Sequence, residues 1–212
     1  MVFDLSSLIP KERREMDAEL RKKYALHYAN TLPKFGYNRD ADNAEAFDFL
    51  CDYFGQWYGA TEGKCDYPHK GLFIFGEKGT GKTTAMQIFS GLFEIEIIPI
   101  EDFTIAFTRG KEEGFWQFAD RYNGERLIID DVCNEREAKA YGNSIPLPEF
   151  FKRREFLWKN KGIHTFFTSN AKNRDEITKL YGDTITSRFL GSCNFVKMSG
   201  SDRRIAARKE CA

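Results

Sequence analysis

Gly76, Glu77, Lys78, Gly79, Thr80, Gly81, Lys82 and Thr83 run in the order G-x-x-x-x-G-K-[ST]. A loop of this type cradles the phosphates of a nucleoside triphosphate. Its glycines let backbone N–H groups approach an anion with no Cβ in the way. Lys82 is then expected to reach the β- and γ-phosphates and Thr83 to hold Mg²⁺, with Thr84 also among the nucleotide-binding residues. The flanks agree with this reading. Residues 71–75 read as a buried strand and residues from 84 onward as a helix, so the anion would sit at a helix N-terminus, where free amides and the helix dipole favour it.

A second group of chemistry-bearing residues lies about fifty positions on. Leu127, Ile128 and Ile129 form an apolar strand that ends in Asp130 and Asp131. Asp130 is expected to accept hydrogen bonds from Mg²⁺-bound water or from Thr83, and Asp131 to orient and polarise an attacking water. Thr168, Ser169 and Asn170 close a later strand. Ligands of parallel sheets bind at the carboxyl ends of the strands, which directs Asn170 at the γ-phosphate or the lytic water. Arg188, Arg203 and Arg204 supply the permanently charged forks suited to a transferring phosphoryl group.

These residues need a scaffold, and the pattern from residue 71 onward provides one. Strands are predicted at 71–75, 95–100, 126–130, 164–169 and 194–198. Helices are predicted between them at 82–92, 101–121 with a break near Gly110, 148–160, and 174–190 in two pieces. Strands alternating with helices argue for a parallel sheet covered on both faces. Upstream, a helix capped by Asp42 or Asn43 is expected to run to Tyr58, with Phe47, Leu50, Tyr53, Phe54 and Trp57 seeking a surface to pack on. Residues 11–23 read as an exposed, charge-rich amphipathic helix.

At 212 residues the chain is large enough for one sizeable core. Its 32 basic and 32 acidic residues cancel, so any nucleic-acid contact must come from a local patch. Its 5 cysteines lack C-x-x-C spacing, which points to reduced thiols in a cytosol and no zinc site. The first residues do not read as a signal peptide and no apolar run reaches membrane-spanning length, so a cytoplasmic protein without a membrane partner is expected. No guanine-reading N-K-x-D motif stands out, and the residues alone leave both adenine and guanine open.

Taken in order over roughly residues 35–204, the set resembles the AAA+ ATPases of the helicase-loader group, the DnaC/DnaI/IstB-like family. The matching residues are 76–83 (Walker A), 127–131 (Walker B), Thr168 to Asn170 (sensor 1), Ser187 and Arg188 (arginine finger), and Gly200, Asp202 and Arg204 (sensor 2). The resemblance implies an α/β P-loop NTPase of the AAA+, ASCE type. That is a three-layer αβα sandwich with a five-stranded parallel sheet, a short helical N-terminal extension (1–65), an ATPase core (66–212) and a reduced or absent lid. It implies ATP and Mg²⁺ as cofactors and a DnaB-like replicative helicase and single-stranded DNA as partners. It also implies self-association into a ring, spiral or filament in which Arg188 acts in trans on a neighbour's γ-phosphate. Arg204 would sense nucleotide within its own subunit, with Arg203 as the alternative. In such proteins helices after the second strand face single-stranded DNA, which makes Arg109 and Lys111 the candidate DNA contacts.

This chain departs from the pattern in three ways. Walker B ends in Asp-Asp where many AAA+ proteins have Asp-Glu, a variant of the IstB-like branch, and the shorter side chain predicts slow, assembly-dependent hydrolysis. No large N-terminal domain precedes the core. An insert at 134–147 separates Walker B from the next helix. Rival readings are an IstB-like transposition helper ATPase, an adaptor that uses ATP as a clamp with little or no hydrolysis, and a small-molecule phosphotransferase.

Overall fold

The computed structural model of the chain describes residues 40–56, 67–134 and 145–203. The expected helix at 11–23, Trp57, Tyr58, Cys65, Cys211, residues 135–144 of the insert and Arg204 lie outside them. The chain divides into two units, Met1–Pro68 and His69–Ala212.

In the first unit a single helix is described, α1 (Ala44–Gln56). It starts where expected, with Asn43 at the cap position and its carbonyl accepting Phe47 N at 2.9 Å. The Asp40 carboxylate accepts the amides of Asp42 and Asn43 at 3.0 and 3.2 Å, and the Asn43 side chain returns a bond to the Asp40 amide at 3.0 Å. The Asp40 carboxylate thus fixes the turn that leads into the helix by satisfying two of its amides. Phe47, Leu50, Tyr53 and Phe54 are buried, at the i, i+3, i+6, i+7 spacing of one helix face.

The second unit is an α/β sandwich. Its elements are β1 (Gly71–Phe75), α2 (Lys82–Phe93), β2 (Glu96–Pro99), α3 (Ile100–Ala119), a 3₁₀ turn (Asp120–Tyr122), β3 (Leu127–Val132), α4 (Leu147–Lys161), β4 (Thr165–Ser169), α5 (Arg174–Ser192) and β5 (Cys193–Lys197). All pairings are parallel, in the order β2-β3-β4-β1-β5. The strand that follows α4 is thus inserted between β1 and β3.

Side chains alternate across the sheet and sort its two faces. Phe73, Ile98, Ile129 and Phe167 form one core with Phe103 and Phe115 of α3, Phe150 and Phe151 of α4, and Ile177 and Phe189 of α5. Phe73 stacks on Phe195 and packs against Phe167 and Phe189. Leu72, Ile74, Ile128 and Phe166, one residue out of phase, are buried on the opposite face, as are Ala85 and Met86 of α2. The near-continuous apolar strands follow from this two-sided burial.

Both expected helix interruptions are present and displaced by little. α3 breaks at Lys111, which adopts φ 55 and ψ −146, and α5 breaks at Gly182, with φ 79 and ψ 167. Among the described residues no helix is long and apolar enough to cross a membrane.

Candidate nucleotide site

The order β3-β4-β1 puts three strand tips side by side at the carboxyl edge of the sheet. The loop after β1 holds its shape through glycine. Gly76, Gly79 and Gly81 have φ of 146, 77 and 97, values that side chains oppose. A Cβ at Gly76 would strike the Met198 carbonyl oxygen, and one at Gly79 the Asp202 side chain. Gly81 stands at the N-terminus of α2, so the first amides of that helix open toward the loop.

Lys82, 4% exposed, turns back under the loop. Its Nζ donates to the carbonyls of Gly76 at 2.9 Å and Glu77 at 2.7 Å. Thr83 Oγ1 donates to Asp130 Oδ1 at 2.9 Å and lies 3.2 Å from Oδ2. The loop is thereby tied to β3 across the width of the inserted strand.

β4 supplies the bridge. The Thr168 hydroxyl donates to Asp130 Oδ1 and accepts the Asp131 amide at 3.0 Å. This double role depends on a bulge. Ile129 pairs with Phe167 and Val132 with Ser169, so Asp130 and Asp131 together face Thr168 alone. Asp131 takes φ 59 to absorb the extra residue. In an unbroken strand two successive carboxylates would point to opposite faces. Here Asp130 meets Thr83 and Thr168, while Asp131 Oδ1 accepts Asn170 Nδ2 at 2.8 Å. Burial pushes the Asp130 carboxyl above its usual range. The Thr168 and Thr83 hydrogen bonds oppose that shift, the Asp131 charge adds to it, and Lys82 lowers it.

The donor set suits a hard divalent cation. The Thr83 hydroxyl and the Asp130 carboxylate are oxygen ligands at hydrogen-bond distance from each other, and Mg²⁺ characteristically takes one or two such protein ligands plus phosphate and water. Among the described residues there is no cluster of three or more His, Cys, Asp or Glu side chains that would form a separate metal site. Burial pushes the Cys193 thiol up to about 12, so it is inert near neutral pH.

One neighbour of the loop escaped the sequence reading. Lys172 Nζ lies 3.8 Å from Glu77 Oε1, both side chains being exposed. The segment after β5 also crosses the loop. Met198 N donates to the Phe75 carbonyl at 2.8 Å, Arg203 N to that of Gly79 at 3.1 Å, and Arg203 Nη1 to that of Thr80. The only sequence signal for Lys172 was its place two residues past Asn170, whereas Arg203, expected as the alternative to Arg204, is the one described on the loop.

The remaining expected residues are elsewhere. Arg188 occupies the last two turns of α5, whose end leads into the amino end of β5, paired there with Gly71. The phosphate loop follows the other end of β1, about 16 Å away along a five-residue strand. Arg188 bonds Glu155 of α4. Arg109 and Lys111 are exposed at the break in α3, beside exposed Glu112 and Glu113.

Comparison with solved structures agrees with this architecture. The DnaC helicase loader superposes with a TM-score of 0.55 at 16% identity, covering 82% of this chain and 99% of that one. The shared fold is a parallel α/β sandwich with a glycine loop after its first strand. A candidate primosome component from Streptococcus pyogenes serotype M3 has the same fold, with a TM-score of 0.52 at 19% identity over 77% of this chain and 82% of that one. No protein-family model and no curated protein matches the chain. In this sheet the inserted strand carries Thr168 and ends just before Asn170, so the sheet order itself brings both residues between the loop and the carboxylates.

Proposed function

We propose that this chain binds ATP with Mg²⁺ and hydrolyses it slowly within an assembly, as a loader of a replicative helicase onto single-stranded DNA. The observation that carries this reading is the chain of bonds Thr83–Asp130–Thr168–Asp131, which holds the phosphate loop and both carboxylates in one unit before any ligand arrives. Residues 76–84 would wrap the phosphates, and Lys82 would exchange loop carbonyls for phosphate oxygens. Mg²⁺, held by Thr83 and Asp130, would neutralise charge on the β- and γ-phosphates. Asp131 would accept the proton of the attacking water while Asn170 keeps that carboxylate in place.

Arg188 cannot serve its own loop from the far end of the sheet, which supports its action on a neighbouring copy. Arg109 and Lys111 would touch DNA phosphates from a strained turn. Arg204 would follow Arg203 toward the nucleotide. Residues 66–212 would form the ATPase core, with 1–65 as the helical extension. The comparison with the DnaC helicase loader, a likeness of fold, supports a DnaB-like helicase as partner.

The decisive experiment measures phosphate release by the full chain with Mg²⁺ and ATP, alone and with single-stranded DNA and a DnaB-like hexamer. Slow release that rises when both partners are added, and vanishes in Lys82→Ala, is the expected result. Binding of ATP without release under any condition would instead support the clamp adaptor, a reading favoured by the hold Asn170 keeps on Asp131. No ATP binding would end both.

A further inference from the structure

We propose that Glu155 is the positioning residue of Arg188, presetting the guanidinium for the phosphate site of a second copy of this chain. The inference rests on the trans role of Arg188 given above. Glu155 lies on the inner side of α4, between the buried residues Arg154 and Leu157, and its side chain is only 8% exposed. An ionised carboxylate in that position is costly unless its oxygens are engaged. Both are. Oε2 accepts Arg188 Nη1, and Oε1 accepts Lys159 Nζ at 2.7 Å. Burial alone pushes this carboxyl up, but the bonds and charges of Lys159 and Arg188 outweigh it and hold it below the usual range.

The division of labour between the two cations is informative. Lys159 takes one oxygen from a largely solvated position, so the carboxylate is neutralised without claiming the whole of Arg188. Arg188 is held by one terminal nitrogen, its side chain remains 38% exposed, and its Nε is buried without an acceptor. A guanidinium tied into a structural role would have its donors filled. Fixing the long side chain in advance removes rotamer entropy that it would otherwise lose in the step in which it meets phosphate. Small errors in the placement of such a group are expensive in rate.

Mixed assemblies test the idea. Lys82→Ala subunits can donate Arg188 but have no working loop, while Arg188→Ala subunits have the loop but no arginine. A mixture has complete sites only where one of each meets. Glu155→Gln is then placed in either partner. The proposal expects a drop of about tenfold in kcat, with KM for ATP unchanged, when Glu155→Gln is in the arginine-donating subunit. It expects less than a twofold change when Glu155→Gln is in the loop-bearing subunit. Equal losses in both arms mean that Glu155 only supports the fold, and overturn the proposal. An unchanged or raised rate in the donor arm overturns it as well. If the parent mixture of Lys82→Ala and Arg188→Ala is itself inactive while wild-type assemblies turn over, the trans reading fails and Glu155 loses its role with it.

Discussion

The two edges of the sheet each carry a buried polar cluster, and the clusters are built differently. At the amino edge Arg154, 2% exposed, donates to Thr165 Oγ1 at 2.7 Å and to the carbonyls of Tyr122 at 2.7 Å, Glu125 at 2.8 Å and His164 at 3.3 Å. His164 Nε2 meets the His69 carbonyl at 2.8 Å, and Trp158 Nε1 donates to the same oxygen at 2.6 Å. These bonds tie together the segments that lead into β1, β3 and β4. At the carboxyl edge the links between segments run mainly through side chains: Thr83 to Asp130, Thr168 to Asp130, and Asn170 to Asp131. A side chain that holds main-chain carbonyls of distant segments cannot let go without loosening the fold. Hydroxyls, amides and carboxylates that hold one another can exchange partners for a ligand and return. The amino edge is therefore a fastening, and the carboxyl edge is a place for chemistry.

The strongest way to break this contrast is Arg154→Ala. It strands the Thr165 hydroxyl and the part-buried carbonyls of Tyr122 and Glu125 and leaves the His164 carbonyl only Leu127 N at 3.4 Å, a loss of about 3 kcal/mol on the scale of removing one partner of a buried charged network. Denaturant titration should show the drop, and any folded fraction should still bind nucleotide. Loss of binding with stability intact would erase the distinction between the edges.

Acid should act on the same fastening. Burial pushes His164 down to about 4 from 6.5, with the nearby Arg126 and His69 charges adding to the shift and backbone hydrogen bonds opposing it. The unfolded chain then binds more protons between those two values, so stability is complete above pH 6.5 and falls as pH drops toward 4, by about 3 kcal/mol in all. His164→Gln, which keeps a donor for the His69 carbonyl, should flatten that slope. A slope unchanged in the variant would place the acid sensitivity elsewhere.

At the other edge Lys82→Ala should cost about 100-fold in ATP affinity, roughly 2.7 kcal/mol, with little change in unfolding temperature. Calorimetric titration and a melting curve on the same sample make the comparison direct. A large loss of stability would mean that Lys82 is a fastening too.

The carboxyl edge was the more legible of the two. A glycine loop with Lys82, an apolar run ending in Asp130 and Asp131, and a strand ending at Asn170 are local patterns, and each strand tip lay within a residue or two of its expected place. What the sequence hid was the bulge, since nothing in Ile129, Asp130, Asp131 and Val132 announces an extra residue relative to β4. The amino edge was illegible because its bonds run to carbonyls, which carry no residue identity. Arg154 reads as one charge among many in α4. Its only signal was its place on the apolar stripe, four residues after Phe150 and three before Leu157. Glu155 shared that clue and was missed for the same reason.

The finest test lies in Asp130, where function and stability should pull apart. Burial raises its carboxyl above the model-peptide value of 3.8, so the fold disfavours the ionised form. Between that value and the raised one the unfolded chain holds fewer protons, and stability falls as pH rises through the window. Asp130→Asn removes this cost near neutral pH while keeping an oxygen for the Thr83 and Thr168 hydroxyls. The variant should melt higher at neutral pH, and the gain should vanish below pH 4. It should also lose the Mg²⁺ dependence of nucleotide binding, because a neutral amide is a poor ligand for a hard cation. A variant that melts lower at neutral pH would show that the Asp130 charge holds the loop in place. The carboxyl edge would then be a fastening like its counterpart, and the contrast between them would be one of degree.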